Sequence, residues 1–316
     1  MWNETNIEHG TTILTSFYKD YIKIVISGSS TIVIEHLPEN LHCCDILVEL
    51  NNTNGLSVYK EGIKSTLPYG FQLPYLPGGY YSLHIFYKLK NNPNIYAGLN
   101  TVYGFPLEIQ FGTIYTIIPQ TLCNNKSFFV DLSNRFAMDK VQNNISNKFF
   151  VPNEIIDMAH EIAKYSYSNY DKILTVHDWV ASNIYYDYDS IADNSYIKQK
   201  HDALSVLRRK RTVCTGYSEL AVALLRAIGI VALNVDCIAL NERTKEDWFM
   251  SNTESDANHV VTFAYADDRW IMMDVTWDSD NEYKDACYRK KTEDGVSHQY
   301  FDCTLAFFSY THKFIK

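Results

Sequence analysis

The chain changes its repeat near the middle, and that change limits its possible folds more than any other feature. From Thr11 to about Pro119 it is rich in Tyr, Ile, Val and Thr, with turn signals at Ser27-Gly28-Ser29, Asn54-Gly55 and Pro77-Gly78-Gly79. The clearest alternation runs from Tyr80 to Lys90. Tyr81, Leu83, Ile85, Tyr87 and Leu89 share one face and Ser82, His84 and Lys88 the other, which predicts a strand with one buried and one wetter side. After Pro152 the period becomes helical. Ile155, Ile156, Ala159, Ile162 and Ala163 recur behind Asn153, and a second pattern runs from Asp171 through Val176, Trp179, Val180 and Ile184. The expectation is an α+β chain: an all-β, β-sandwich-like domain over residues 1–125, a connecting segment over 126–152, and a domain with helices packed on an antiparallel sheet over 153–316. No repeat or chemical motif marks the first part, whose expected role is scaffolding or binding.

Charge and cysteine content narrow the partners. Twenty-eight basic against 37 acidic residues give a formal charge of -9, which argues against general affinity for nucleic acid or an anionic membrane. No apolar stretch approaches the roughly 18 to 20 residues of a membrane span, and MWNETNIEHG lacks the features of a signal peptide. As written the chain reads as soluble and cytoplasmic, or as extracellular or cell-surface if an export signal has been removed. Seven cysteines without CxxC spacing suggest neither a zinc ribbon nor a disulfide framework, and Cys237 and Cys303 read as buried thiols. The histidines show no metal-ligand spacing, so no metal and no cofactor are expected.

One cysteine stands apart. In RTVCTGYSEL, Arg211 to Leu220, Cys214 precedes a helical stripe of Tyr217, Leu220, Ala221, Leu224, Leu225 and Ile228 that Gly229 ends. Unpaired N–H groups and the helix dipole at such a start favour a thiolate and can bind an oxyanion, and Gly216 would allow close approach to the backbone. A cysteine at a helix start is more often inert packing, so a base and a group to orient it decide the matter. NHVVTFAYADDRWIMMDVTWD, Asn258 to Asp278, reads as a β-hairpin around Asp267-Asp268. A two-residue loop pairs Tyr265 with Trp270, Phe263 with Met272 and Val261 with Asp274, making His259 the diagonal neighbour of Asp274 on one face. A four-residue loop puts them directly opposite, and a three-residue loop separates them. Asp274, between Met273 and Val275 on an interior-looking strand, needs a partner to be buried, and His259 is the obvious candidate.

These pieces resemble the transglutaminase-like superfamily of papain-type cysteine enzymes, in the manner of its bacterial members. The resemblance rests on HDWVASNIYYDYD from His177, VCTGYSELAVALLRAIGI from Val213, NHVV around His259, WIMMDVTWD ending at Asp278, and YFDCTLAFFSYTHKF after Gln299, and it covers roughly residues 155 to 312. It implies Cys214 as nucleophile, His259 as general base and acid, and Asp274 as orienting carboxylate, with Thr215, Gly216, Tyr217, Trp248 and Trp277 near the substrate. His259-Val260-Val261-Thr262 stands where members often read His-Ala-Trp-Asn, and Thr215 where other side chains are common, so specificity does not transfer. No calcium-site pattern of the animal enzymes is recognisable.

The implied chemistry is acyl transfer at an amide. Hydrolysis, as in a cysteine peptidase or amidase, is the preferred reading; crosslinking through a lysine amine stays open, as does a non-catalytic binding or assembly module that retains the fold. The expected partner is a protein or peptide substrate, with the β-rich half recruiting a polymeric or cell-surface glycan or peptide. Arg208 to Arg211 reads as a solvated helix end or a local positive potential, and Asn241 to Ala257, with Trp248 and Phe249, as a lid or a pinned loop. His177, Asp178 and Trp179 are expected on different helix faces, as packing and polar support.

Overall fold

The computed structural model describes residues 23–141, 151–239 and 257–315, apart from 28–29, 38–40, 42–43, 53, 65–66, 90–91, 99–104, 117–120 and 293–294. It divides into two compact units, Met1–Leu122 with Leu240–Ser251 and Cys303–Thr311, and Cys123–Ala239 with Asn252–Asp302 and His312–Lys316.

The first unit is strand-rich. Strands β1 (Lys23–Ser27), β2 (Thr31–His36) and β5 (Tyr69–Gln72) form one sheet. A second has the order β4-β3-β6-β8-β9, from β3 (Asp45–Asn52), β4 (Ser57–Lys64), β6 (Gly79–Leu89), β8 (Phe105–Gln110) and β9 (Thr113–Thr116), with β7 (Asn92–Gly98) also paired to β6. Alternate residues are buried, Ile24 and Ile26, Ile32 and Ile34, and Ile46, Val48 and Leu50, as a period-2 pattern with one apolar face requires. The turn at Asn54-Gly55 closes through Asn52, whose side-chain oxygen accepts from the N–H groups of Asn54 and Leu56, while Gly55 takes a φ of +74°. Strand β6 departs from the expected wetter face. Tyr81, Leu83 and Ile85 are buried, but so are Ser82 and His84, whose side chains meet each other at 3.0 Å. The strand is central, paired to β3 on one edge and β8 on the other, and a polar pair that bonds to itself tolerates burial there.

The second unit is mixed. Its helices are α1 (Thr121–Val141, from Cys123 onward), α2 (Asn153–Ala163), α3 (Asn169–Asn183), α4 (Tyr188–Ala192), α5 (Ala203–Arg209) and α6 (Cys214–Ala227). Its main sheet is antiparallel in the order β14-β13-β12-β17, from β12 (Val231–Ala239), β13 (His259–Ala266), β14 (Arg269–Met273) and β17 (His312–Phe314). A smaller sheet joins β11 (Arg211–Thr212), β10 (Tyr185–Asp187), β15 (Asn281–Lys284) and β16 (Cys287–Lys290), with β10 parallel to both its neighbours. A short helix at Leu305–Phe308 belongs to the first unit.

Helix α6 is the centre of this unit. It packs on α2, α3 and α5 and on β12 and β13, and Tyr217, Leu220, Ala221, Leu224 and Leu225 of the predicted stripe are buried. Each of the three leucines contributes about 1.5–3 kcal/mol by leaving water. Ser168 and Asp171 start α3 with a reciprocal capping box, and Gly229, at φ +81°, follows the end of α6. Helix α1, in the segment read as a connection, sets Phe128 and Phe129 against Phe263 of β13 and Phe314 of β17. Its Asn125 completes an edge: the amide donates to His312 O at 2.9 Å and accepts from Phe314 N–H at 2.9 Å.

Gly216 sets the approach of α6 to β11. A Cβ there would stand 2.0 Å from Thr212 Oγ1 and 2.8 Å from Thr212 Cβ and Cγ2, and Thr212 is itself fully buried. Gly216→Ala therefore destabilises the fold by about 1–3 kcal/mol. Denaturant unfolding is expected to show a lower midpoint at unchanged slope, partly restored by Thr212→Ala in the same chain; an unchanged midpoint contradicts this packing.

Candidate functional site

Cys214 is the first helical residue of α6. Val213 before it is extended and provides no side-chain cap; its carbonyl accepts from Gly216 N–H at 2.9 Å and Tyr217 N–H at 3.3 Å, which leaves the N–H groups of Cys214 and Thr215 at the helix start without an intrahelical acceptor. Ser218, one turn on, fixes the helix to the sheet: its Oγ lies 2.7 Å from Asn234 Oδ1 of β12, 2.8 Å from Thr262 Oγ1 and 3.0 Å from Val261 O of β13. The half-buried thiol is thereby held over the start of β13.

The hairpin of β13 and β14 takes the register of a two-residue loop. Tyr265 pairs with Trp270 and Phe263 with Met272, and Asp267 and Asp268 both have positive φ, 52° and 57°. That register brings His259 Nε2 to 2.7 Å from Asp274 Oδ2. Asp274 is fully buried, and its other oxygen accepts from the N–H groups of Thr276 at 3.1 Å and Trp277 at 3.0 Å. A second imidazole, His312 of β17, places Nε2 3.1 Å from Oδ2. His259 and the Cys214 thiol are near enough to shift each other's protonation.

Electrostatics follow from these contacts. Burial alone would lower the pKa of His259, but the charge and hydrogen bond of Asp274, then those of Cys214, outweigh it and raise the value to about 10. Burial pushes the Cys214 thiol up, yet the hydrogen bond and charge of His259 and the N–H of Val260 bring it below the usual thiol value. Asp274, which burial alone would raise, is held well below the carboxylate range by His259 and His312. Cys237, fully buried, moves the opposite way, chiefly by desolvation. An imidazole that shares protons with a thiol on one side and is anchored by a carboxylate on the other has the parts needed for nucleophilic chemistry.

With that geometry in view, residues 156–275 match the family model of the transglutaminase-like superfamily. This part of the chain is a transglutaminase-like domain. No curated protein matches the chain. Two solved structures resemble it in part. One, a candidate cysteine protease from Cytophaga hutchinsonii, is 23% identical over 39% of this chain and 37% of its own, with a TM-score of 0.30. The other, a candidate protease from Parabacteroides distasonis ATCC 8503, is 10% identical over 80% of this chain and 63% of its own, with a TM-score of 0.31. The chain thus spans less than two thirds of either.

Around the transglutaminase-like domain's thiol, the residues expected near substrate are placed differently from one another. Thr215 is exposed beside Cys214. Gly216 is buried against Thr212, so its missing side chain serves packing inside the fold. Tyr217 is fully buried and donates its hydroxyl to Ile184 O at 2.8 Å, which ties α6 to the end of α3 instead of facing solvent. Trp277 is half-buried, with its ring 5.7 Å from that of His259 and 4.6 Å from that of His312. Trp248 and the segment read as a lid lie mostly outside the described residues. The basic run is occupied locally: Arg208 pairs with Glu154 at 2.6 Å, Arg209 bonds the carbonyls of Arg211 and Lys200, Lys210 sits over Trp179, and Arg211 over Tyr283.

Two groupings escaped the sequence reading. His312 lies in a three-residue strand whose pairing to β12 is visible only in the folded sheet. His177 and Asp178, expected on different faces, share one cluster with His298 and Asp278, because adjacent side chains at the C-terminal half of α3 both reach the segment after Asp278. Among the described residues, His177, Asp178 and His298, and separately His259, Asp274 and His312, each bring three potential metal-ligand atoms within 4.8 Å.

Because the folded pKa of His259 is raised from 6.5 to about 10, its protonated form contributes stability that is complete below about pH 6.5 and is lost as pH rises through about 10. NMR titration of the His259 ring is expected to show it still protonated at pH 8. Asp274→Asn is expected to bring the midpoint down by more than about one unit. A wild-type midpoint near 6.5 contradicts the arrangement.

Proposed function

We propose that the transglutaminase-like domain is a cysteine hydrolase that cleaves amide bonds in proteins or peptides, with Cys214, His259 and Asp274 as its catalytic triad. The observation that carries this reading is the 2.7 Å contact of His259 Nε2 with the buried carboxylate of Asp274, beside a Cys214 thiol that His259 draws below its usual pKa. The family match supports the reaction class.

In this reading the thiol proton already rests on His259, and the Cys214 thiolate attacks the carbonyl carbon. Negative charge develops on the carbonyl oxygen, and the uncapped N–H groups at the start of α6, that of Cys214 first, donate to it. The C–N bond breaks as His259 protonates the departing amine, leaving a thioester on Cys214. His259 then removes a proton from water, whose oxygen attacks the thioester; the carboxylic acid leaves and the thiol is restored. Asp274 keeps Nε2 of His259 engaged and stabilises the imidazolium. Water is the favoured acceptor because the thiol keeps partial exposure to solvent.

A quenched peptide library incubated with the protein, with and without an added primary amine, tests this. Cys214→Ala is expected to lower turnover by about 10³-fold or more, and Asp274→Asn by about 10²–10⁴-fold, with free acid as product even when amine is present. Amide products in place of acid would assign crosslinking; turnover that survives Cys214→Ala contradicts the proposal.

A further inference from the structure

The turn that carries Asp274 ends in a second buried carboxylate. Asp278 N–H donates to Asp274 O at 3.0 Å, and the Asp278 side chain is fully buried. Its Oδ1 accepts from Tyr300 N–H at 2.9 Å and lies 3.3 Å from Ser297 Oγ, while its Oδ2 is 3.1 Å from His177 Nε2. The other nitrogen of His177 is 2.9 Å from Asp178 Oδ1, and that same oxygen is 2.7 Å from His298 Nε2. His177 is fully buried, whereas the Asp178 and His298 side chains keep 37% and 26% of their exposure, so the cluster opens on one side.

We propose that His177 Nδ1, Asp178 and His298 Nε2 form a binding site for a divalent cation of the zinc type, with Asp278 orienting His177 from behind. The proposal does not depend on the reaction assigned to Cys214.

Five observations lead there. The donor set of two imidazoles and one carboxylate suits zinc or cobalt and is poor for magnesium or calcium, which take oxygen ligands. The ligand atoms lie within 4.8 Å of one another. Bonds of about 2.0–2.2 Å to one ion set neighbouring ligand atoms a little over 3 Å apart, so the 2.7 and 2.9 Å separations need to open by only a few tenths of an ångström. A ligating imidazole commonly donates its second N–H to a carboxylate, and Asp278 is fixed for that role by Tyr300 N–H. Finally, the two carboxylates offset the two charges of the ion, and the open side leaves a position for water.

Bound there, the ion would tie α3 to the segment carrying His298 and steady the Asp274–Asp278 turn through Asp278. Tyr300 links the two ends of that turn, since its N–H donates to Asp278 and its carbonyl accepts from Asp274 N–H at 3.3 Å.

The test is calorimetric and spectroscopic titration of the metal-stripped full chain, as wild type and as Cys214→Ser, with Zn²⁺, Co²⁺ and Mg²⁺ in turn. One equivalent of Zn²⁺ or Co²⁺ is expected to bind, without Mg²⁺ binding, and the cobalt spectrum is expected to lack a thiolate charge-transfer band. His298→Ala should weaken binding by more than about 100-fold and Asp278→Asn by about 10–100-fold, while His312→Ala leaves it unchanged. If Asp278→Asn does not fold, the more exposed His298→Ala decides alone. Binding that survives His298→Ala, falls equally in His312→Ala, shows the thiolate band, or is absent in the wild type overturns the proposal; in the last case the cluster is a hydrogen-bonded strut only.

Discussion

A carboxylate sealed away from water holds the transglutaminase-like domain's candidate centre together. Removing an ionised carboxylate from water costs several kcal/mol unless hydrogen bonds and opposite charge replace the lost hydration. Asp274 meets that requirement from three directions. The turn after β14 provides the N–H groups of Thr276 and Trp277, β13 provides His259, and β17 provides His312. The hairpin register, the closure of β17 onto β12 and the bracing of β17 by Asn125 all serve to bring these donors to one residue. His259, so anchored, is also the group that draws the Cys214 thiol below its usual pKa. The helix that carries Cys214 is set in turn by Ser218 and by the close approach of Gly216 to Thr212. Burial, pairing and the position of the thiol are therefore one problem with one arrangement as its solution.

The same turn links two polar clusters. Asp274 and Asp278 are one helical turn apart and face different histidines, His259 with His312 in one case and His177 in the other. Between them Trp277 packs against His259, His312 and Tyr300, so the turn cannot shift at one end without disturbing aromatic contacts at the other. Whatever steadies Asp278 also steadies Asp274. This gives the His177 cluster, which a mechanism centred on Cys214 would leave unused, a physical connection to the candidate centre.

Much of this was legible in the residues, for definite reasons. The hairpin was readable by counting, because the period-2 geometry of strands allows few registers: two- and four-residue loops both put His259 and Asp274 on one face, a three-residue loop does not, and the fold takes the two-residue loop. Helix α6 followed from its apolar stripe, and the change from strand to helical repeat foretold a strand-rich part ahead of a mixed one. Three features did not follow. The burial of Ser82 and His84 depends on β6 lying in the middle of its sheet, which alternation alone does not reveal. His312 sits in a strand of three residues, too short for any pattern, and reaches Asp274 across 38 positions of sequence. Tyr217 and Gly216 sit beside the thiol in sequence, yet the helix turns them into the interior. Helix periodicity correctly put Tyr217 in the stripe; nearness in sequence to Cys214 was the weaker guide.

The central claim is that Cys214 is an accessible thiol activated by His259, and its alkylation rate as a function of pH tests that most directly. Followed peptide by peptide in mass spectrometry, with the other cysteines as internal controls, Cys214 should react fast well below the ordinary thiol pKa of about 8.5 and slow markedly in His259→Ala. A Cys214 that reacts no faster than the other thiols, or only once the protein unfolds, would contradict the account.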